Sequence, residues 1–63
     1  MTIRKWMVQI EDENGDQEYL TEEPIIGTWH EIVPIAEKLA DEWEVKTGGL
    51  VLILKIESRG KVK

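Results

Sequence analysis

From Ile3 to Glu11 the chain alternates, with Trp6, Val8 and Ile10 on one side and Lys5, Gln9 and Glu11 on the other; only Ile3 and Met7 put apolar side chains on the polar side. A period of two over this length predicts a half-buried strand. Asp12 to Asp16 reads Asp-Glu-Asn-Gly-Asp, a turn in which Gly15 takes positive φ beside Asn14, and Gln17 to Thr21 offers Tyr19 and Leu20 as a short return strand. A β-hairpin is expected. Glu22 to Gly27 contains Pro24 and Gly27 and is expected as a connection carrying Ile25 and Ile26 along the surface or under a helix.

The period then lengthens. Thr28 and Glu31 have the spacing of a capping box, but a helix begun there encloses Pro34, which lacks an N–H and clashes with the preceding turn at roughly 3 kcal/mol. The favoured reading is a short turn at Thr28 to Ile32 leading into a main helix with Pro34 near its first position. Ile35, Ala36, Leu39, Ala40 and Trp43 form the expected buried stripe, while Glu37, Lys38, Asp41, Glu42 and Glu44 face water. Gly48-Gly49 is the expected stop. Leu50 to Glu57 is the clearest strand, with Leu50, Leu52, Leu54 and Ile56 on one face and Val51, Ile53, Lys55 and Glu57 on the other. Ser58 to Lys63 has no period and reads as a frayed basic tail.

The element order β-β-α-β predicts a single α+β domain over 1–57: a three-stranded antiparallel sheet covered on one face by one helix. With the last strand beside the first, the spatial order is 2-1-3. Trp6, Val8, Ile10, Leu52 and Leu54 then meet the helix. The opposite face exposes Ile3, Met7, Val51 and Ile53, and an apolar patch of that kind calls for a partner or a second copy of the chain.

Charge sharpens this picture. Glu11 to Glu44 holds twelve carboxylates against the single cation Lys38, a block of −11, whereas Met1 to Ile10 carries +2 and Val45 to Lys63 carries +4, for a net charge of −5. An acidic surface repels nucleic acid and anionic lipid and favours a basic protein partner. The only basic cluster is Lys55, Arg59, Lys61 and Lys63, too sparse against the acid-rich remainder to make direct nucleic-acid binding the expected activity. Sixty-three residues leave room for one small core. The absence of cysteine fits a reducing compartment, with the cytoplasm as the default, and the longest apolar run, Leu50 to Leu54, falls far short of the ~20 residues that span a bilayer.

Candidate chemistry is thin. Asp12, Glu13, Asn14 and Asp16 are hard oxygen ligands, but they lack the order of a calcium loop, and a solvated turn explains them better. His30, flanked by Trp29 and Glu31, is the only histidine; it supports an alternative reading as a base in a small enzyme or enzyme subunit, which requires a carboxylate or a nucleophile held beside it. Trp29 serves either as a lid over the core or as an exposed anchor for a partner. No metal or cofactor is expected. The leading expectation is a noncatalytic protein-binding or accessory module that offers Glu37, Asp41 and Glu42 to a basic protein, with Trp29 or the sheet residues Met7, Val51 and Ile53 as anchors. A structural homo-oligomer through that second sheet face is the further alternative.

Overall fold

The computed structural model describes residues 2–62 and shows an α+β fold: one antiparallel sheet of four strands, with one helix packed against it. The order is β1 (Arg4–Asp12), β2 (Gln17–Tyr19), β3 (Ile25–Gly27), α1 (Trp29–Thr47) and β4 (Val51–Lys61). Every strand pairs with β1. β4 lies along its length from Arg4↔Lys61 to Asp12↔Val51, while β2 pairs Gln9 to Glu11 and β3 pairs Arg4 to Trp6. Since β4 fills one flank of β1, β2 and β3 share the other, end to end.

The hairpin turn is built around one side chain. Asp12 Oδ1 accepts the N–H groups of Asn14 at 2.9 Å and Asp16 at 3.0 Å, and Gly15 takes φ 84°, the left-handed conformation that its missing Cβ makes cheap. The connection after it differs from expectation. Ile25–Gly27 form a strand, because the backbone beside Arg4 to Trp6 would otherwise lack partners, and the indole N–H of Trp6 closes the join by donating to the Gly27 carbonyl at 2.9 Å.

The helix starts earlier than Pro34 suggested. Thr28 is the N-cap and Pro34 is the sixth helical residue, not the first. Glu31 Oε1 accepts the Thr28 N–H at 2.9 Å and its hydroxyl at 3.1 Å, and the early start also buries Ile32 completely. A cap is worth about 1 kcal/mol and a fully buried isoleucine about 1.5–3 kcal/mol, which together offset an interior proline. The stripe shifts accordingly. Ile32, Ala36 and Ala40 are buried, Leu39 and Trp43 are half-buried beside them, and Ile35 falls on the flank at 40% exposure. Gly48 ends the helix at φ 74°, its N–H donating to the Glu44 carbonyl at 2.8 Å.

Under the helix, Trp6, Val8 and Ile10 of β1 are buried, with Ile56 opposite Val8 and Leu54 opposite Ile10. Two irregularities shape β4. Between Asp12↔Val51 and Glu11↔Ile53 the strand carries one extra residue, Leu52, and between Trp6↔Ser58 and Arg4↔Lys61 it carries another in the Arg59-Gly60 stretch. A one-residue insertion reverses the alternation beyond it. Val51 therefore turns to the helix side, and Leu52 is left 62% exposed where the simple alternation buried it. Ser58–Lys61, expected as a frayed tail, continue the strand. Lys63, counted in the basic C-terminal cluster, lies outside the described residues. No helix among the described residues is long and apolar enough to cross a membrane.

Candidate functional site

Glu37, Asp41 and Glu44 are spaced i, i+4 and i+7, so they stand in one row along α1. That row flanks the buried Ile32-Ala36-Ala40 stripe on the side of β4. Together with Ala40, Val51 and Leu54 it lines a groove of about 420 Å³ with an apolar floor and an acidic wall. Glu44 ties the two walls together, since its Oε2 accepts the Val51 N–H at 2.8 Å. Among the described residues the single ion pair is Arg59 with Glu57, at 3.8 Å, so no cation neutralises the wall.

Of the residues named from sequence, the fold brings Glu37, Asp41 and Val51 into this groove. Glu42 is exposed, more than a quarter-turn away around the helix. Ala40, Glu44 and Leu54 complete the groove and were not foreseen as site residues. The i, i+4, i+7 spacing of the carboxylates was readable, but Ala40 and Leu54 looked like ordinary core.

Trp29 stands at the other end of the helix, 49% exposed, its ring 5.5 Å from that of the buried Trp6 and tilted by 56°. It both covers Trp6 and presents a face outward. His30 lies beside it, exposed, in a shallow depression of about 230 Å³ lined by Thr2, Arg4, Trp6, Thr28 and Trp29. No carboxylate lines that depression. A base needs an orienting partner and a substrate pocket, and the side chains that share this depression with His30 include Arg4 and two indoles. Among the described residues no three histidine or carboxylate groups converge as a metal site would require.

The second face of the sheet is mixed, with Ile26 61% exposed opposite Lys5 and polar contacts around Met7. Met7 is half-buried and receives the Thr21 hydroxyl at 3.7 Å. Tyr19 donates to Glu57 at 3.3 Å, and Arg59 donates to the Tyr19 hydroxyl at 2.9 Å while its guanidinium lies 5.6 Å from the ring centroid. Ile53 stays 52% exposed opposite Glu11, but Met7 and Glu11 lie four positions apart along β1, about 13 Å, and the Gln9-Lys55 pair lies between. With Val51 on the helix side, Met7 and Ile53 do not make one continuous apolar patch.

The chain matches no protein-family model, no curated protein and no solved structure.

Proposed function

We propose that the protein is a noncatalytic protein-binding module that captures a basic protein through the acidic groove between α1 and β4. The observation that carries this reading is the groove itself: three carboxylates in one row, unneutralised by any cation among the described residues, above an apolar floor. Protein contacts combine an apolar centre with a polar rim, and a rim of one charge steers an oppositely charged partner. A cysteine-free chain suits such a role in the cytoplasm.

The reading is tested by affinity capture from cell extract with the wild type and with the variant Glu37→Lys/Asp41→Lys immobilised side by side. Both substitutions lie at exposed positions, so the fold is kept. Basic proteins are expected on the wild type and absent from the variant. Equal retention by the two overturns the assignment.

A further inference from the structure

β4 is paired on one flank only. β1 takes it from Val51 to Lys61, β2 and β3 pair with β1 instead, and among the described residues no strand takes the other flank. Native sheets blunt such edges with bulges and charge. Here the bulges sit at the two ends, around Leu52 and in Arg59-Gly60, which leaves Ile53–Ser58 in unbroken register with β1. The blunting spares a regular six-residue edge.

That edge runs beside the acidic groove. The residues facing Glu37, Asp41 and Glu44 across it are Val51 and Leu54 of β4, with none from β1. The Glu44 carboxylate already reaches the β4 main chain, at the Val51 N–H. We infer that the free edge of β4 accepts an extended basic peptide segment as an added strand, its main chain pairing with Ile53–Ser58 and the lysine or arginine beside Leu54 entering the groove. This rests on the reading of the groove as a protein-binding surface and specifies the partner's conformation and sequence pattern.

An added strand lies about 4.8 Å beyond β4, and its side chains alternate between the two faces. On the helix side, the aliphatic stem of a lysine or arginine crosses Leu54 and Val51 while its charged head stays at the carboxylate row. On the other side, its neighbours are Ile53, Lys55 and Glu57, where β-branched residues suit the half-exposed Ile53. Main-chain bonds supply affinity in such additions and the alternate pockets supply specificity. A second copy of the chain fits this edge poorly. Antiparallel pairing of two β4 strands sets both helices on one face and brings two unneutralised carboxylate rows together, a like-charge contact that a basic peptide avoids.

The experiment titrates the ¹⁵N-labelled full chain with a capped octapeptide of alternating lysine and valine, and with two control peptides N-methylated either at every valine or at every lysine. Strand addition predicts new amide protection at alternate residues within Ile53–Ser58. It also predicts that one N-methylated peptide loses at least about tenfold in affinity, since several main-chain bonds vanish together, while the other still binds. Glu37→Gln/Asp41→Gln should weaken the unmodified peptide and flatten its salt dependence. Equal binding of all three peptides overturns strand addition but leaves the acidic groove as the docking surface. Equal binding by wild type and the double variant overturns the acidic reading itself. Dimerisation of the unliganded chain with protection of the same amides overturns the proposal in favour of self-association.

Discussion

Glu31 controls the helix entry with a single oxygen. Its Oε1 accepts the Thr28 N–H and then the Thr28 hydroxyl, and these bonds, the backbone one foremost, hold its carboxyl below the ordinary glutamate pKa. A lowered pKa in the folded state means that the linked stability is present above the ordinary value and is lost as pH falls through the lowered one. Titration of the Glu31 carboxyl by NMR should give a midpoint below the ordinary value, and Thr28→Ala, which removes the hydroxyl donor, should move it partway back. A midpoint unmoved by Thr28→Ala would leave the backbone N–H as the cap's only hold on Glu31, and one at the ordinary value would detach Glu31 from the cap. At the opposite end of the helix, Trp43 closes over Gly49 so tightly that a Cβ there would come within 2.9 Å of its ring. Gly49→Ala is expected to cost about 1–3 kcal/mol through overpacking, and Trp43→Ala about 2–3 kcal/mol, below a fully buried tryptophan because the ring is half-exposed. In the double variant the new methyl enters space the ring has left, so the two losses should sum to less than their parts in urea denaturation. Strict additivity would place Trp43 and Gly49 out of contact.

Pro34 shows how one element resolves competing preferences. It sits in the helix with no N–H to offer the exposed turn before it, and the cap at Thr28 together with the burial of Ile32 outweighs that loss. Restoring the N–H in Pro34→Ala should stabilise the protein by about 1–2 kcal/mol, less than the full interior penalty because the unfolded chain also gains freedom. For a domain of this size that is a rise in Tm of roughly 4–8 °C per kcal/mol; a fall in Tm would mean that the ring makes contacts worth more than the hydrogen bond. The same competition marks the limits of what the sequence disclosed. Period and turn chemistry revealed β1, the hairpin, the body of α1 and β4, since each rests on local signals, whereas β3, read as a connection, is a strand only through its pairing with β1. The helix start depended on Ile32 finding a pocket beside Gly27, a tertiary event. The face of Val51 depended on a bulge, which no alternation announces. The acidic row of the groove was legible at i, i+4 and i+7, whereas its floor required knowing which side of the helix β4 takes.

At the scale of the molecule, the field is set by the carboxylates between Glu11 and Glu44, none of which forms an ion pair among the described residues. Lowering the salt should therefore speed capture of a basic partner, and Glu37→Lys/Asp41→Lys/Glu42→Lys should slow it and flatten its dependence on salt in stopped-flow mixing. A rate indifferent to the reversal would put recognition outside the acidic block. The sheet carries a different kind of global constraint. All of its ladders run through β1, and the longest joins residues that lie 39 to 57 positions apart along the chain. β2 and β3 have only three residues each, and a short hairpin of that kind is marginal in water without the third row. Order in the first half of the molecule thus waits on its last strand. During synthesis the emerging chain should hold no lasting tertiary structure until β4 is made, so a chain stopped after Leu50 should give the circular dichroism of an unfolded polypeptide, and the passage from coil to native form should be a single late event rather than a succession of settled stages.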